Sequence, residues 1–549
     1  MPIKKFFSTH HGLLAAVVLL VCCLVTFSNS FDNGFLMDDV PMLLANKTAN
    51  VIHFLQFNFT GHQRQVYFRP VYHFFMLATH AFFGDQPLGY NVLNIVLYYF
   101  ACLAVYHLIK TLIKDFLPAL MTGILFCVHP INGVLANHKV CAGYSVLVIT
   151  AVLSLTKYVQ ALEERDDRSG FILSGIYFCF ALMCHEVAVM VPLLLMCVLF
   201  FVKRYDIKMT FLKSFPLLAV LGCYLIFRFF YFSLKNSVID NISYFGMSYF
   251  QYFASYAKLI FWYLSKLFIP EGIVLAWETY VLPESIFIWC LLYVLMIAAL
   301  LFFIVKYWKR DIIAFSLIWL FIGFGIVPLA CFSRPALGFV IQPHWLSVPS
   351  IGFFLSVAVF LSALRKRMNK KVWILLVCLI VLACVLKSRQ YNNRWNSQKK
   401  YCRYWLTVSP QSFWPNFWLG HSYMVEGDYA KAKIHFIRNL KKGIHDEEIY
   451  GNLGIVEYEL KNYDDSILYL EKALAIKPDS AETHYYLGRG YIKKKMFRKA
   501  EEYYLQAIEL DRYLLSPREG LALLYESRER HEKALAVRRD IKALSNKEQ

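Results

Sequence analysis

Two adjacent aspartates, Asp38 and Asp39, are the first residues of this 549-residue chain whose type and setting suggest chemistry. Phe35-Leu36-Met37 precede them and Val40-Pro41-Met42 follow, so little else nearby is polar. A carboxylate in such surroundings needs a cation or a hydrogen-bond donor close by. An ionised carboxylate held in this way can accept a proton from an attacking hydroxyl group. Both aspartates are therefore catalytic candidates.

Other ionisable residues lie at or near the ends of apolar runs, and the basic loops put these ends on one side of the chain's helices. Charged groups at such depths are costly unless they face water or partners, so their gathering predicts a functional site. Among them, Glu186 is a third catalytic candidate. For any single histidine, an ordinary polar loop is the simpler explanation. The candidates for substrate binding are Arg69, His129, Lys139, His185, Arg334 and His344.

The composition predicts that a membrane domain positions these residues. Hydrophobic residues make up 58% of the chain and aromatic residues 17%, and the mean hydropathy is +0.45. These values exceed those of soluble domains, and apolar runs of membrane-spanning length recur. We expect about eleven transmembrane helices, at 13–27, 88–109, 116–135, 144–160, 171–185, 187–202, 214–232, 284–305, 312–331, 345–364 and 372–387.

Basic residues in the short loops predict the orientation of these helices, because cytoplasmic loops are enriched in Lys and Arg. Lys4 and Lys5 precede the first run, so we expect a cytoplasmic N-terminus. Residues 12–30 also resemble a signal peptide, which is an alternative. The segment Tyr249–Ile269, in which lysines interrupt aromatics, predicts an amphipathic helix in the outer interface rather than a span. The alternation then leaves the C-terminal part of the chain outside the cytoplasm.

The remaining composition argues against other kinds of site. The net charge of +19 is explained by the basic loops, so we expect no nucleic-acid partner. The 14 cysteines form no CxxC pair, which indicates small core residues. Five residues could converge on a metal ion, but no spacing among them fixes a coordination geometry, and we predict neither a metal nor a cofactor. These five are Asp38, Asp39, His129, His185 and Glu186.

A pattern that repeats every 34 residues marks the C-terminal part of the chain. It consists of a leucine followed by a small residue, at Leu419-Gly420, Leu453-Gly454, Leu487-Gly488 and Leu521-Ala522. Small residues let two helices approach, and large residues such as Phe436, Leu470 and Tyr504 fill the groove beside them. This is the signature of tetratricopeptide repeats, helix pairs that bury their open faces only against their neighbours.

The two parts together predict an all-α fold. A polytopic transmembrane helical domain is expected at 1–387, a linker at 388–411 and an α-solenoid of about four repeat units at 412–549. The repeats are expected to provide a surface that binds a partner or that makes the protein more rigid. We therefore expect the chemistry in the membrane domain.

Short motifs follow one another along the chain. The first contains the two aspartates, and the others are Phe68-Arg69-Pro70-Val71, Gly89-Tyr90-Asn91-Val92-Leu93-Asn94, His129-Pro130-Ile131, His185-Glu186, Val348-Pro349-Ser350-Ile351-Gly352 and Ser388-Arg389-Gln390-Tyr391-Asn392-Asn393. In this order, and joined to the repeats, they resemble the membrane glycosyltransferases of the GT-C fold that carry C-terminal tetratricopeptide repeats. The chain is similar to the transmembrane and tetratricopeptide-repeat O-mannosyltransferases of animals and to their bacterial relatives.

The resemblance implies transfer of a sugar, mannose in the animal family, from a polyprenyl-phosphate donor to a hydroxyl group of a protein or another extracytoplasmic acceptor. Asp38 or Asp39 would be the general base, and the repeats would bind the acceptor or a partner protein. Glu186 would position the acceptor or relay a proton, unless it is only a structural partner of His185. The donor phosphate needs cations at the outer interface, for which the candidates are Arg69, Lys139 and Arg334.

The sequence departs from the family pattern at three places. Asn132-Gly133 stands where the family often has an acidic residue, His185-Glu186 replaces Lys-Glu, and His344-Trp345 replaces an Arg-Tyr pair. These changes touch the donor-phosphate and acceptor region, so the substrate stays open. The alternative is a non-catalytic membrane scaffold whose repeats recruit an envelope or lumenal partner. A transporter ranks third, because a carrier would place its acids at the midplane of the membrane.

The location follows from the topology and the resemblance. We expect a multi-pass protein of the bacterial inner membrane, with its repeats in the periplasm and with membrane lipid among its partners. The alternative is the endoplasmic reticulum membrane with lumenal repeats. Three glycosylation sequons in predicted outer loops are compatible with that alternative, and they begin at Asn46, Asn58 and Asn241.

Overall fold

The structure, a computed structural model, describes most of the chain as helices in two compact units. The described residues are 10–37, 39, 69–164, 167–232, 248–279, 283–306, 312–330, 332–334, 338–442, 444 and 446–545. One unit is Met1–Tyr401 and the other is Cys402–Gln549. The all-α fold class is confirmed. The predicted bounds of the linker stay a prediction.

The first unit is a set of helices of very different lengths. Its last helix, Gln398–Val408, crosses the boundary between the two units. The other α-helices are His10–Phe27, Pro70–Phe83, Pro87–Ile113, Phe116–Val128, Gly133–Asn137, Ala142–Glu163, Arg168–Cys184, Val191–Cys197, Ile207–Phe232, Tyr249–Phe268, Ile286–Lys306, Ile312–Ala330, Ser347–Leu364 and Lys370–Asn392.

Short irregular turns interrupt this helical unit, and the candidate site residues lie on them or beside them. His129, His185 and His344 each begin or sit within such a turn. A break in a helix turns the chain and frees side chains to point toward one another. The turns are Pro130–Asn132, Lys139–Cys141, Glu186–Met190, Pro283–Ser285 and Pro343–Leu346, with a π-helical turn at Val198–Val202.

The apolar helices match the predicted membrane-spanning runs one by one. Among the described residues, five helices are long and apolar enough to cross a membrane, and the pair Phe116–Val128 and Pro130–Asn137, bent by 57°, makes a sixth if it is one span. Shorter apolar helices account for the remaining predicted runs, and these are His11–Phe27, Arg168–Cys184, Glu186–Val202, Ile286–Phe302 and Ile312–Gly325. The multi-pass class is therefore confirmed, whereas the side on which each loop lies stays a prediction.

The helix Tyr249–Phe268 is amphipathic, as the sequence predicts. Ser248 caps its first turn by accepting a hydrogen bond from the backbone of Gln251. Tyr249 is exposed, whereas Trp262 is buried and stacks on Trp277 with 5.4 Å between ring centroids. One face of the helix thus packs on the unit while the other is left open. Its location in the membrane interface stays a prediction.

Among the described residues, the first unit also contains a small antiparallel sheet that the all-α prediction omits. It has three strands, β1 (Trp277–Glu278), β2 (Phe332–Arg334) and β3 (Gly338–Ile341), in the order β1-β3-β2. Trp277 pairs with Ile341, and Arg334 pairs with Gly338. Strands this short escape detection because two to four residues carry too little alternation to predict them.

The second unit is a solenoid of paired antiparallel helices. The helices of its four pairs are Phe413–Val425, Tyr429–Lys441, Glu447–Glu459, Tyr463–Ile476, Ala481–Lys493, Phe497–Leu510, Leu515–Ser527 and His531–Ser545. The predicted fit of small and large residues is confirmed. A methyl group added to the α-carbon of Gly420 would lie 2.7 Å from Phe436, and one at Gly454 would lie 2.4 Å from Leu470. Only a glycine permits these crossings without a shift.

Polar side chains join each helix pair of the solenoid to the next. Tyr491 donates its hydroxyl hydrogen to Glu471 of the preceding pair at 2.9 Å. Tyr525 does the same to Glu501, also at 2.9 Å. The second copy of the pattern has Glu457 where the other copies have tyrosine, and its carboxylate lies 2.6 Å from the ammonium of Lys433. Two of these three joints are therefore tyrosine–glutamate hydrogen bonds, and the third is a lysine–glutamate ion pair.

Candidate active site

Asp39 is fully buried at the end of the segment that follows the first helix. Its Oδ2 accepts a hydrogen bond from the backbone N–H of Leu36 at 3.0 Å, and its Oδ1 accepts one from Val140 at 3.1 Å. The Nε2 of His138 lies 3.5 Å from the same Oδ1. Both carboxylate oxygens of Asp39 are thus engaged in fixing this segment. Asp38 lies outside the described residues.

Asparagine side chains hold the segment that leads to Asp39. The amide of Asn91 donates to the backbone oxygens of Phe31 and Asn33, both at 2.8 Å. Asn94 donates to the backbone oxygen of His138 at 2.8 Å. An asparagine amide can replace the secondary-structure hydrogen bonds that an irregular segment lacks. The two asparagines of the Gly-Tyr-Asn-Val-Leu-Asn motif thus hold the backbone of the segment before Asp39 and the backbone of His138, whose ring lies beside Asp39.

The side chain of Lys139 also contacts the segment that leads to Asp39. Its ammonium group donates to the backbone oxygen of Gly34 and lies 5.4 Å from the ring centroid of Phe35. The residue is buried. Lys139, a sequence candidate for binding the donor phosphate, is therefore directed at the backbone beside the aspartate pair.

Other asparagine side chains connect the C-terminal end of the membrane unit with the segment that leads to Asp39. Asn137 donates to Asn392 at 2.7 Å and accepts from Asn33 at 2.9 Å. Asn392 in turn donates to the backbone oxygen of Thr26 at 2.8 Å. The motif at 388–393 is thus explained by contacts with the first helix and with the turn that precedes His138.

Glu186 forms the second centre of charge in the unit. Its Oε2 lies 2.7 Å from Nη2 of Arg69 and accepts a hydrogen bond from Nε of the same residue at 2.9 Å, so one carboxylate oxygen receives both nitrogens of a charge-assisted contact. Its Oε1 accepts from Nη1 of Arg228 at 3.2 Å. Arg228 also donates to the hydroxyl of Tyr224 at 3.1 Å. Two guanidinium groups therefore hold Glu186 in its ionised form.

The local fold explains why these three groups meet. Arg69 is the residue before Pro70, which begins the helix Pro70–Phe83. His185 caps the turn that starts at Glu186, because its Nδ1 accepts the backbone N–H of Val187 at 3.1 Å. Arg228 comes from the C-terminal end of the helix Ile207–Phe232. The cluster is thus built from three separate chain segments.

Aromatic and imidazole rings connect the two centres. Tyr144 lies between His185 and His344, with ring centroids at 4.8 Å and 4.0 Å. The sulfur of Cys141 lies 3.4 Å from Nδ1 of His138 and 3.8 Å from Nδ1 of His344. Contacts therefore run without a break from Asp39 through His138 and the rings to Glu186.

The two remaining sequence candidates are His129 and Arg334. His129 faces the end of the amphipathic helix, where its Nε2 is 3.2 Å from the backbone oxygen of Leu267 and its Nδ1 accepts from Ile131. Its ring packs on Phe354 at 5.1 Å. Arg334 is in strand β2, and its side chain lies outside the described part of the chain. The structure thus brings together Asp39, Arg69, Lys139, His185, Glu186 and His344 and places His129 beside Leu267 and Phe354.

Arg228 is the main residue that sequence reasoning missed. It is the one charged residue in the predicted run 214–232, and a charge inside an apolar run is itself a signal of function. Tyr144 and Cys141 gave no such signal, because neither type is unusual beside an apolar helix. Within the described residues, no group of three histidine, cysteine, aspartate or glutamate side chains is arranged to hold a metal ion.

Comparison with known proteins connects this architecture to a family. The tetratricopeptide repeat model matches residues 446–513. A protein O-mannosyl-transferase of Caenorhabditis elegans is 24% identical over 473 residues, which is 83% of this chain and 63% of that protein. The chain is similar to the O-mannosyltransferases with tetratricopeptide repeats. It spans less than two thirds of the length of that relative.

Further comparisons concern shorter parts of the chain. The protein O-mannosyl-transferase Tmtc1 of Drosophila melanogaster is 25% identical over 195 residues, or 34% of this chain and 23% of that protein. Subunit 6 of the anaphase-promoting complex of Arabidopsis thaliana is 31% identical over 116 residues, or 20% of this chain and 21% of that protein. The solved structure of MamA from Desulfovibrio magneticus covers 27% of this chain and 85% of its own, with 22% identity and a TM-score of 0.26.

Proposed function

We propose that the protein is a membrane glycosyltransferase that moves a sugar from a polyprenyl-phosphate donor to a hydroxyl group of a polypeptide acceptor. The observation that carries this proposal is the presence of two carboxylates, the buried Asp39 and the half-buried Glu186, connected by an unbroken series of imidazole, sulfur and ring contacts inside a largely apolar helical unit. Buried charges are costly and persist where they serve a purpose. The likeness to protein O-mannosyl-transferases over 83% of the chain supports a sugar as the transferred group.

The chemistry needs a base, a leaving group and a site for the phosphate. The acceptor oxygen attacks the anomeric carbon, the bond from that carbon to the phosphate oxygen breaks, and the polyprenyl phosphate departs with the bonding electrons. The proton of the attacking hydroxyl passes to a carboxylate. Because both oxygens of Asp39 already accept backbone hydrogen bonds, Asp38 is assigned as the base and Asp39 as the residue that positions it.

The repeats are assigned to the acceptor. A solenoid of stacked helix pairs offers an extended surface for a polypeptide. By the basic-loop argument this surface lies outside the cytoplasm, in the periplasm of a bacterium or in the lumen of the endoplasmic reticulum. Mannose is the sugar to test first, since two of the relatives are named O-mannosyl-transferases.

The test uses the purified full-length protein with radiolabelled polyprenyl-phosphate mannose and an acceptor polypeptide. Label in the acceptor, lost in Asp38→Asn, supports the proposal. Absence of transfer by the wild type, together with full function of Asp38→Asn and Asp39→Asn in cells, would replace it with the membrane scaffold. Since a scaffold needs no carboxylate chemistry, that outcome is unambiguous.

A further inference from the structure

We propose that His138, His185 and His344 bind the sugar residue of the lipid-linked donor through hydrogen bonds to its hydroxyl groups. This inference rests on the proposed function and deepens it, because it names the part of the unit that holds the transferred sugar. The three residues are 4%, 1% and 3% exposed. The Nε2 atom of each is buried and has no hydrogen-bond partner among the described residues.

The three imidazole rings belong to one continuous series of contacts. His138 and His344 both contact the sulfur of Cys141, which lies 3.4 Å and 3.8 Å from their Nδ1 atoms. His344 and His185 both pack against Tyr144, with ring centroids at 4.0 Å and 4.8 Å. A single side chain therefore separates each imidazole ring from the next, and a ligand of the size of a hexose can reach neighbouring rings.

The unpaired nitrogen atoms call for a ligand, because a buried polar atom loses its hydrogen bonds to water and native proteins leave few such atoms without a partner. Nε2 of His138 lies 3.5 Å from Asp39, and Nε2 of His185 lies 3.7 Å from Glu186. Both distances exceed that of an N–H···O hydrogen bond. A bound group that carries hydroxyls would supply the missing bonds.

The contacts of the other ring nitrogen determine what each Nε2 offers. Nδ1 of His185 accepts the backbone N–H of Val187 at 3.1 Å, so a neutral His185 has its proton on Nε2. A neutral His138 also has its proton on Nε2, which faces a carboxylate, and its Nδ1 accepts the thiol proton of Cys141. The sulfur then accepts the proton on Nδ1 of His344. Nε2 of His344 is left as a lone pair.

This pattern of two N–H donors and one acceptor fits a neutral sugar. A hydroxyl group both donates and accepts a hydrogen bond, so neighbouring hydroxyls of a hexose can meet donors and an acceptor together. An ionised phosphate has only acceptor oxygens, and it would meet a lone pair at His344 and carboxylates beside His138 and His185. The site therefore favours the sugar of the donor over its phosphate.

The experiment compares the binding of dolichyl-phosphate mannose with that of dolichyl phosphate to the purified full-length protein. The ratio of the two dissociation constants measures the contribution of the sugar. His344→Phe should reduce the preference for the mannosylated lipid by about 3- to 10-fold, as expected for loss of one hydrogen bond, without weakening the binding of dolichyl phosphate. His344→Gln should recover part of the preference, because its carboxamide oxygen replaces the lone pair.

His107→Phe is the matched control. His107 lies in the same unit, and its Nε2 is 3.3 Å from the side-chain nitrogen of Gln160, so its replacement should leave the preference unchanged. An equal loss of preference in His107→Phe and His344→Phe would contradict the site. A wild-type preference in His344→Phe, or equal affinity of the wild type for the two lipids, would also overturn the inference.

Donors that lack a single hydroxyl locate the contact. Removal of the hydroxyl that meets His344 should weaken binding to the wild type but not to His344→Phe, because the variant has already lost that hydrogen bond. Losses that are the same in both proteins for every deoxy donor would contradict a contact between His344 and the sugar. Competition by a mannosylated peptide but not by dolichyl-phosphate mannose would assign the site to the acceptor and also contradict the inference.

Nitrogen chemical shifts of labelled histidine test the assigned proton positions, with each signal identified by its loss in a single variant. We expect the ring proton on Nδ1 in His344 and on Nε2 in His185. Cys141→Ser should keep the proton of His344 in place, because a hydroxyl donates and accepts as the thiol does, whereas Cys141→Ala should change its chemical shift. A proton on Nε2 of His344 in the wild type would contradict the assigned lone pair.

Two outcomes separate this inference from the proposed function. A preference for dolichyl-phosphate mannose that depends on His344, without transfer by the wild type, would support the sugar site and contradict the transferase. Transfer by the wild type, with an unchanged preference in His344→Phe, would contradict the sugar site and keep the transferase.

Discussion

Asn137 and Asn392 are 255 positions apart in the sequence and share a hydrogen bond of 2.7 Å. Asn137 stands directly before His138, and Asn392 ends the last long apolar helix. The bond therefore connects the end of the short helix Gly133–Asn137 with the end of the helix Lys370–Asn392, at the edge of the candidate site. It accounts for a polar motif that has no chemistry of its own.

Removal of this link should lower stability more than it changes chemistry. Asn137→Ala removes the acceptor of the Asn33 side-chain nitrogen and the donor to the Asn392 side-chain oxygen, and each buried polar atom left unpaired costs about 1–3 kcal/mol. We expect a lower midpoint of thermal unfolding for the detergent-solubilised protein. Asn396→Ala is the control, because its side chain is exposed in the same segment. Equal midpoints for both variants would contradict this account.

The two aspartates should respond differently to the same substitution. Asp38→Asn should slow transfer by about 10²–10⁴-fold, the contribution of a general base, without loss of thermal stability. Asp39→Asn should lower stability as well, because an amide nitrogen would face the backbone N–H of Leu36 or Val140. Initial rates and unfolding midpoints of both variants decide the matter. The reverse pattern would make Asp39 the base.

The sequence predicted the helices of the membrane unit and the repeats because both carry long, strongly periodic signals. It predicted Glu186 and Arg69 as site residues but not their partner Arg228. The charge of Arg228 inside an apolar run was a local signal, but its contact with Glu186, 42 positions away in the chain, has no local signature. It did not predict that His129 lies against Phe354, and the substrate role of His129 stays a prediction. Burial is decided by the neighbouring helices, which a single chain segment does not reveal.

Two glycines of one repeat helix should give opposite results. A methyl group at Gly454 would meet Leu470 at 2.4 Å, whereas one at Gly451 meets nothing within 4 Å. Gly454→Ala should therefore destabilise the solenoid, by about 1–3 kcal/mol as in other overpacked cores. Gly451→Ala should stabilise it by about 0.5–1 kcal/mol, because alanine favours the helix. Denaturant unfolding followed by circular dichroism compares the two.

His435 should make the solenoid sensitive to acid. Burial, with the charge of Arg438 nearby, lowers the pKa of His435 to about 4, whereas an unfolded histidine titrates near about 6.5. Below the unfolded value the unfolded chain takes up a proton that the folded chain refuses, so the free energy of unfolding falls as the pH drops from about 6.5 toward 4. His435→Gln should weaken this dependence between pH 7 and about pH 5, and the exposed His531→Gln should leave it unchanged. Identical pH dependence in both variants would refute the assignment.

The orientation of the chain can be tested by chemical labelling. Cysteines introduced at Asn46 and Asp479 should react with an impermeant reagent from the extracytoplasmic side, and one at Asn369 should not, because Asn369 follows the basic loop at 365–368. Labelling of Asn369 but not of Asp479 from that side would reverse the topology. The candidate site would then lie on the cytoplasmic side of the membrane, whereas the proposed reaction uses polyprenyl-linked sugars on the extracytoplasmic side.

The unlike joints of the solenoid bear on how faithfully it folds. A repeat array can mispair, since its helices are nearly interchangeable in shape. Here a slip of two units would bring Glu457, which is buried, toward the helix that carries Glu501, and would separate it from Lys433. Like charges forced together without water oppose the error. Because one copy has glutamate in place of tyrosine, its joint differs from the others, and this difference disfavours incorrect pairing of the repeats.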